Sequence, residues 1–347
     1  MMLFDNSCRF KPFASIVWLL IYPIQVLNLA SIPMASANTK TLTRQPNITC
    51  SSDRKNKKAT DTVPLLVLAG QSNMVGYRSN LQEIPPELHK PQHNVLWYND
   101  RDRWEPLQVP TEPLPFSEWL PNEVGFGPEI SLGKQLANCL GDTVALVKYS
   151  RNATSLAEDW NPALADSLYY RMLARTSKAI TDLEARGKTV RIAGFFWMQG
   201  EADASNKEFA ENYRENLSYF IQTVRRDFKQ PKLPFVYGMV HFGNQHTKPN
   251  GKTNCCGDIV RQAQKQVNES IAATAIVETN DLPLHADKIH FNSQGLIVLG
   301  NRMAMSWVEI RSASTISQFF LQIWHRFWPK QLQEKQQQRQ GFSDRTN

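Results

Sequence analysis

The sequence has no apolar segment beyond residue 37 that is long enough to cross a bilayer, although the chain has 347 residues. The first 37 residues differ from the rest of the chain, because they contain one longer apolar run. A short, slightly basic start precedes the apolar run Ala14–Ala30, and small residues then end in the triplet Ala35–Ala37. This layout is typical of a secretory signal peptide. An uncleaved anchor is the alternative, but the run is short for a span and Pro23 interrupts it. We expect cleavage after Ala37 and a soluble, secreted or extracytoplasmic protein.

The central part of the chain carries almost no net charge, although the total is +7. Residues 1–37, 38–61 and 326–347 carry +1, +4 and +3 of this total, which leaves −1 for residues 62–325. A nucleic-acid-binding domain needs a basic face with interleaved aromatic side chains on its folded body. The sequence offers no such face, so we expect no nucleic acid partner. Residues 38–61 are interpreted as a polar, basic linker.

Cysteine is also scarce, and four cysteines remain beyond residue 37. No second pair of cysteines or histidines stands at the spacing of metal ligands, which argues against a metal site. In an oxidising compartment we predict a disulfide from Cys50 to either Cys255 or Cys256. Cys139 lies in an apolar helical pattern, which favours a buried free thiol there.

Short apolar runs alternate with longer amphipathic segments from Val63 onward, and no internal repeat interrupts them. Several runs are apolar on both faces, as strands of a covered parallel sheet are. The alternation predicts one three-layer α/β/α sandwich with a mostly parallel central sheet, over residues 62–310. The predicted strands are Val63–Ala69, Val95–Tyr98, Val144–Tyr149, Ile192–Met198, Phe235–Val240 and Ala275–Glu278. The predicted helices include Pro128–Leu140, Leu164–Arg186, Phe209–Phe228, Ile259–Ile271 and Ser293–Trp307.

The first residues with catalytic character follow the first predicted strand. Open α/β sheets bind ligands at the carboxyl ends of their strands, and Ser72 lies there in the segment Gly-Gln-Ser-Asn-Met at 70–74. A serine on a strand-to-helix turn exposes its hydroxyl and points backbone N–H groups toward a carbonyl. An N-capping serine is the alternative. The final glycine of the G-x-S-x-G motif is missing, which argues against the usual α/β-hydrolase arrangement.

A serine nucleophile needs a base, and the segment Asp-Lys-Ile-His at 287–290 supplies a candidate. Histidine is the side chain that suits this task near neutral pH, and Asp287 can fix the tautomer of His290 from three residues earlier. The alternative is a surface aspartate and a polar histidine near a helix start. Two further histidines, His241 and His285, are rivals, but neither has a carboxylate at matching spacing.

Two other segments offer hydrogen-bond donors for the negative charge that develops in acyl transfer. Gln199, in Trp-Met-Gln-Gly-Glu at 197–201, brings a side-chain amide to the end of a strand. Glu201 only accepts hydrogen bonds when ionised, so we interpret it as an anchor of that loop. Gly127, in Gly-Phe-Gly-Pro-Glu at 125–129, offers a backbone N–H at a helix start, where a plain turn is an equally good interpretation.

In this order, Gly-Gln-Ser-Asn-Met, the Gly-Pro turn, Trp-Met-Gln-Gly-Glu-Ala-Asp and Asp-x-x-His resemble the SGNH-type hydrolases. Within that group they are similar to the sialate O-acetylesterase and carbohydrate esterase family 6 branch, from about Val63 to Trp307. The resemblance implies an SGNH hydrolase-like, flavodoxin-like fold. It also implies a serine esterase that hydrolyses O-acetyl esters of carbohydrates, without a metal or an organic cofactor.

The resemblance also assigns roles to residues of this sequence. It implies Ser72 as the nucleophile, with Asp287 and His290 completing the triad. The oxyanion donors that it implies are the Ser72 N–H, Gly127 and Gln199, and the residues that support the site are Gln71, Asn73 and Glu201.

Two features leave other interpretations open. Where the family has a Gly-Gly-Thr-Ser turn, residues 151–155 read Arg-Asn-Ala-Thr-Ser, which favours a catalytically silent glycan-binding domain on the same scaffold. The tail, residues 311–347, combines apolar residues at helical spacing with a basic, Gln-rich end. We interpret it as a helix packed on the body, with an interfacial anchor as the alternative. An anchor would allow weak contact with a membrane or an anionic surface, as in a membrane-associated lipid esterase.

Overall fold

The computed structural model describes residues 62–120, 123–242 and 256–313. The predicted signal peptide, the linker and all but the first residues of the tail lie outside these ranges, as do Cys50 and Cys255. No helix within these ranges is both long and apolar enough to cross a membrane.

The described residues form one seven-stranded sheet, in the order β3-β2-β4-β1-β5-β6-β7. All neighbouring strands are parallel except β3, which is antiparallel to β2 at one edge. The central strand β1 pairs with both β4 and β5, so its carboxyl end lies in the middle of the sheet edge. The strands are β1 (Thr62–Gly70), β2 (Gln92–Tyr98), β3 (Trp104–Leu107), β4 (Val144–Ser150), β5 (Thr189–Met198), β6 (Phe235–Gly238) and β7 (Thr274–Val277).

Helices cover both faces of the sheet and bury a separate apolar cluster on each face. Helices α3 to α6 pack on one face, and α2 and α7 pack on the other. This confirms the predicted three-layer α/β/α sandwich. The helices are α1 (Ser72–Val75), α2 (Glu129–Leu140), α3 (Leu168–Glu184), α4 (Lys207–Glu211), α5 (Tyr213–Asp227), α6 (Gly257–Ser270) and α7 (293–313).

Helix α7 packs on the sheet through several buried apolar side chains, one of which is Trp307. Trp307 is buried, and its indole N–H donates to the carbonyl oxygen of Ala193 on β5 at 2.9 Å. A Cβ on Gly194 would lie 2.5 Å from that indole nitrogen, so only glycine fits there. This contact holds α7 against the same strand that ends at the candidate site.

The sequence pattern missed strand β3, placed the start of one helix too early and missed a break in another helix. Strand β3 has four residues and contains Pro106, so it lacks a strand pattern and forms only at the sheet edge, as proline requires. Helix α3 starts at Leu168 rather than Leu164, because Asp166 takes a left-handed conformation with φ of 64°. The predicted helix Phe209–Phe228 breaks at Asn212, whose side-chain amide bonds the Glu208 carbonyl.

The prediction for Cys139 is wrong. This residue is disulfide-bonded and half-buried near the end of α2, rather than a buried free thiol. Cys256 is disulfide-bonded as well. An apolar helical pattern indicates which face of a helix packs, but it carries no information on a sulfur partner from elsewhere in the chain.

Candidate active site

Ser72 lies where the central strand β1 ends and the short helix α1 begins. Gly70 ends the strand with φ of 146°, and a Cβ there would lie 2.1 Å from the carbonyl oxygen of Met198 on β5. Glycine alone permits this approach. The backbone N–H of Gln71 bonds that same oxygen at 2.9 Å. The close packing of β1 on β5 therefore fixes where Ser72 leaves the sheet.

His290 contacts Ser72 from the loop between β7 and α7. Its Nε2 atom lies 3.0 Å from Ser72 Oγ, and its Nδ1 atom lies 2.8 Å from Asp287 Oδ2. The other carboxylate oxygen, Asp287 Oδ1, accepts the backbone N–H groups of Ile289 and His290, each at 3.0 Å. The structure thus brings Ser72, His290 and Asp287 into one hydrogen-bonded chain.

The hydrogen bonds around Asp287 keep its carboxyl group ionised. Burial raises its pKa, but the hydrogen bonds from the His290 ring and from the two backbone N–H groups outweigh burial. The pKa of Asp287 therefore lies well below its ordinary value. Arg78 adds a positive charge, with Nη1 3.4 Å from Asp287 Oδ2. An ionised acceptor places the ring proton on Nδ1 and leaves Nε2 as the acceptor that faces Ser72.

The two rival histidines have other contacts. The backbone N–H of His285 donates to the His290 carbonyl at 2.8 Å, so His285 closes the loop that carries Asp287. His241 lies beyond β6, where burial and the positive charge of Arg261 lower its pKa. Among the described residues, neither ring is hydrogen-bonded to Ser72, whereas the His290 ring is.

Asn73 connects the loop after β5 to the loop that carries the histidine. Its Nδ2 atom donates to Glu201 Oε1 at 2.6 Å and to the Ile289 carbonyl at 3.1 Å. Its Oδ1 atom accepts the backbone N–H of Phe291 at 2.9 Å. Glu201 therefore bonds Asn73, whereas Asp287 bonds His290. Asn73 lies next to Ser72 in the chain, so it holds both loops beside the hydroxyl.

Gln199 lies at the end of β5 with its amide N–H groups directed into the protein. Nε2 lies 2.5 Å from Asp203 Oδ2, 2.9 Å from the Thr154 carbonyl oxygen and 3.2 Å from Gln71 Oε1. Its Oε1 atom accepts the hydroxyl of Tyr213 at 3.1 Å. Two amide hydrogens thus face three protein acceptors, so this structure leaves Gln199 no N–H for an incoming oxyanion.

Asp203, one of these acceptors, is a buried carboxyl group that the sequence analysis did not single out. Burial raises its pKa to about 6, against the hydrogen bonds from Gln199 and from the backbone N–H groups of Leu156 and Ala157. Asp203 therefore ties the loop after β4 to the end of β5. Its place in the segment Trp-Met-Gln-Gly-Glu-Ala-Asp was the available signal.

Gly127 packs against the back of α1 and also has an internal acceptor. A Cβ there would lie 2.5 Å from the Met74 carbonyl oxygen and 2.6 Å from Glu129 Oε2. Its N–H donates to Glu129 Oε1 at 2.8 Å. Of the three sequence-predicted oxyanion donors, Gly127 and Gln199 are thus paired within the protein. The N–H of Ser72 bonds no acceptor among the described residues.

A buried ionic cluster lies beneath this turn, and the sequence analysis missed it. Lys148 on β4 is fully buried, with Nζ 2.7 Å from Glu112 Oε1, 3.0 Å from Glu129 Oε2 and 3.3 Å from the Val75 carbonyl oxygen. Burial lowers the pKa of Lys148, but the two carboxylates outweigh burial and raise it. Burial also raises the pKa of Glu112. The cluster joins β4, α1 and the Gly127 turn through one cation.

Replacing Lys148 by methionine is expected to destabilise the protein by about 3–5 kcal/mol. Methionine fills a similar volume but leaves two buried carboxylates without their cation. The measurement is the free energy of unfolding from urea titration. Lys207→Met removes an exposed lysine that pairs with Glu211, and it should leave the stability near that of the wild type. Equal stability of both variants would show that the cluster does not stabilise the fold.

The turn after β4 takes a glycine-type conformation without a glycine. Ala153 has φ of 57°, in the left-handed region that favours glycine. The backbone N–H of Arg151 donates to the Gly70 carbonyl at 3.1 Å, and that of Asn152 donates to the Ser117 carbonyl at 3.2 Å. The segment Arg-Asn-Ala-Thr-Ser therefore packs directly against the strand end that carries Ser72.

Aromatic and charged side chains lie beside the histidine. The rings of Tyr77 and His290 are 5.1 Å apart, and Trp119 meets Tyr77 edge-on at 6.2 Å. Arg78 lies over the Tyr77 ring at 5.6 Å. An exposed ion pair joins Arg151 to Glu118. Within the described ranges, no group of three or more histidine, cysteine, aspartate or glutamate side chains is arranged to hold a metal ion.

The profile of the family "Carbohydrate esterase, sialic acid-specific acetylesterase" matches residues 62–309. The chain belongs to this family. It is a carboxylic ester hydrolase of the carbohydrate esterase type, which confirms the resemblance seen in the sequence. A relative from Arabidopsis thaliana named "probable carbohydrate esterase" is 26% identical over 259 residues, which are 71% of this chain and 90% of the relative.

Two solved structures are similar to this chain in fold. A protein from Arabidopsis thaliana superposes with a TM-score of 0.58 at 24% identity, over 72% of this chain and 98% of its own. A carbohydrate acetylesterase from Xanthomonas citri superposes with a TM-score of 0.51 at 16% identity, over 70% of this chain and 55% of its own. At these identities the likeness shows that this carbohydrate esterase shares their fold.

Proposed function

We propose that this carbohydrate esterase is a serine enzyme that removes acetyl groups from sugars, with Ser72 as its nucleophile. The observation that carries the proposal is the hydrogen-bonded chain from Ser72 Oγ through both nitrogens of His290 to Asp287, at 3.0 and 2.8 Å. These are the distances at which a base can activate a hydroxyl and be oriented by a third group. Family membership supports acetyl esters as the substrates.

In the proposed reaction, Ser72 Oγ attacks the acetyl carbonyl carbon while its proton moves to His290 Nε2. The tetrahedral intermediate collapses, the bond to the sugar oxygen breaks, and the proton on Nε2 passes to that oxygen. A water molecule then attacks the acetyl group on Ser72 and gives a proton to Nε2. Acetate leaves, and Ser72 Oγ recovers its proton. Asp287 stays ionised throughout and stabilises the charged imidazole ring.

The surroundings of His290 favour a sugar over a long acyl chain. Tyr77 and Trp119 form an aromatic wall beside the histidine ring, and aromatic faces pack well against apolar surfaces. Arg78 and the ion pair of Arg151 with Glu118 add hydrogen-bonding groups close by. Sugars present hydroxyl groups and C–H faces together, so this mixture suits an acetylated glycan.

The test is acetate release from a panel of acetylated glycans, including acetylated xylan and O-acetylated sialic acid, against long-chain fatty esters at equal concentration. We expect turnover of at least one acetylated glycan and little of the fatty esters. The reverse preference would contradict the carbohydrate assignment and favour the lipid esterase. Labelling by a fluorophosphonate distinguishes either esterase, carbohydrate or lipid, from a catalytically silent glycan-binding domain. Such a domain would bind the glycans, but it would neither be labelled nor release acetate.

A further inference from the structure

The oxyanion that forms on the acetyl carbonyl needs aimed hydrogen-bond donors. Two of the three donors that the sequence predicts, Gly127 and Gln199, are bonded to acceptors within the protein. Both amide hydrogens of Gln199 face acceptors in Asp203, Thr154 and Gln71. The side chain is 0% exposed, so no ligand atom reaches it without rearrangement. Loss of these bonds would leave the Thr154 carbonyl without its amide donor, and it would leave Asp203 with backbone N–H donors alone.

The side-chain amide of Gln71 lies next to that of Gln199, but it is bonded within the protein through its oxygen and not through its nitrogen. Its Oε1 atom accepts both Gln199 Nε2 and the backbone N–H of Ala202, each at 3.2 Å. Because the amide group is planar, two bonds to the oxygen fix the direction of the nitrogen as well. Gln71 Nε2 bonds no acceptor among the described residues, and the side chain keeps 3% of its surface exposed. Gln71 Nε2 is not among the buried polar atoms that lack a partner, so solvent reaches this nitrogen and a ligand oxygen can bond it.

This unpaired donor belongs to the residue that precedes the candidate nucleophile. Gln71 and Ser72 both lie at the carboxyl edge of the sheet, where the loops after β4 and β5 meet. The backbone N–H of Ser72 likewise bonds no acceptor among the described residues. Two adjacent residues at this edge of the sheet, one of them the proposed nucleophile, thus have N–H groups that bond no acceptor among the described residues.

We propose that Gln71 Nε2 donates a hydrogen bond to the oxyanion, together with the backbone N–H of Ser72. This rests on the proposed function, in which Ser72 is the nucleophile. Gln199 is then a positioning residue. Its Nε2 atom donates to Gln71 Oε1 and so orients the Gln71 amide, while Asp203 accepts from the same nitrogen and orients Gln199. The bond from Gln71 strengthens as charge develops on the carbonyl oxygen, so it accelerates acylation rather than tightening substrate binding.

Two variants of Gln71 distinguish loss of the hydrogen bond from Nε2 from loss of the contacts that the whole side chain makes. Gln71→Glu keeps an oxygen for Gln199 and Ala202 to bond but replaces the amide N–H groups, whereas Gln71→Ala removes both. We expect each variant to lower kcat for acetate release by roughly 100-fold or more, with KM little changed. Gln199→Ala serves as the matched comparison, and we expect it to lower the melting temperature more than either Gln71 variant does.

A second readout detects the oxyanion contact directly. A trifluoromethyl ketone adds to the serine hydroxyl and forms a tetrahedral oxyanion, whereas the deacetylated sugar forms none. If Gln71 donates to the oxyanion, Gln71→Glu weakens inhibition by the ketone by about the same factor as kcat/KM. Inhibition by the deacetylated sugar stays unchanged. A purely structural role would weaken both inhibitors together.

The outcomes distinguish this inference from the proposed function. If a fluorophosphonate labels Ser72 in the wild type while both folded Gln71 variants keep kcat within a few-fold of it, Gln71 is not an oxyanion donor and the esterase assignment stands. If the wild type shows neither labelling nor acetate release, the proposed function itself fails. Should Gln71→Ala lose its fold by thermal melting, Gln71→Glu decides.

Discussion

Replacing Ser72 by alanine is expected to abolish acetate release while leaving the fold intact. The change removes the atom that forms the bond to the acetyl carbon, and loss of a serine nucleophile lowers kcat by about 10⁶-fold. The side chain of Ser72 contributes little to folding, because its hydrogen bond is the one to His290 Nε2. The backbone bonds at the start of α1 run from Met74 and Val75 to the carbonyl of Gln71 and do not need the hydroxyl.

The measurement is kcat on an acetylated glycan that the wild type hydrolyses, with thermal melting as the check on folding. Ser218→Ala is the matched control. The hydroxyl of Ser218 bonds the Arg214 carbonyl within α5, far along the chain from the site, and its loss should leave turnover unchanged. Fluorophosphonate labelling should disappear in Ser72→Ala alone. Near-normal turnover by a folded Ser72→Ala protein would end the serine esterase proposal.

The sequence predicted those parts of the site that depend on local order along the chain. Apolar residues on both faces of β1, followed by Gly70 and Ser72, indicate a buried strand that ends in a turn at the edge of the sheet. The three-residue spacing of Asp287 and His290 allows the carboxylate to fold back on the ring, as the structure shows. Strand β1 lies at the centre of the sheet, so its end is also the middle of the site.

Contacts between distant segments could not be predicted in this way. Lys148 stands in an apolar strand pattern, and its two carboxylate partners come from positions 112 and 129, outside any local periodicity. The role of Gln199 depends on the same kind of contact. The sequence places an amide at the end of β5, but Asp203 and Thr154 decide where its hydrogens point. Which of two neighbouring amides stays unpaired is set by this three-dimensional network.

Replacing Asp287 by asparagine is expected to lower kcat by as much as about 10,000-fold, the loss known from the corresponding change in a serine protease. Asparagine keeps the shape, and its oxygen can still accept the backbone N–H groups of Ile289 and His290. Its amide nitrogen then faces His290 Nδ1 as a donor. The ring responds by carrying its proton on Nε2, which faces Ser72 and can no longer accept a proton.

The low pKa of Asp287 in the wild type determines how the activity of Asp287→Asn is expected to depend on pH. Because hydrogen bonds to the ionised form hold the pKa well below its ordinary value, the carboxylate stays charged throughout the working range. The stability that it contributes is present above the pKa of an unfolded aspartate, and it is lost only as the pH falls through the lower, folded value. The asparagine variant should therefore lose activity at every pH of the profile, without a new inflection between pH 5 and pH 8.

Glu201→Gln is the matched control, since the carboxylate of Glu201 bonds the residue next to Ser72. Asn73 Nδ2 donates to its Oε1 atom at 2.6 Å, and a glutamine oxygen can accept the same bond. We therefore expect Glu201→Gln to cost much less activity than Asp287→Asn, because His290 keeps its tautomer. The comparison uses kcat for both variants on one acetyl ester, with folding checked by thermal melting. A crippled Glu201→Gln beside a nearly normal Asp287→Asn would overturn the triad assignment and make Glu201 the residue that orients the base.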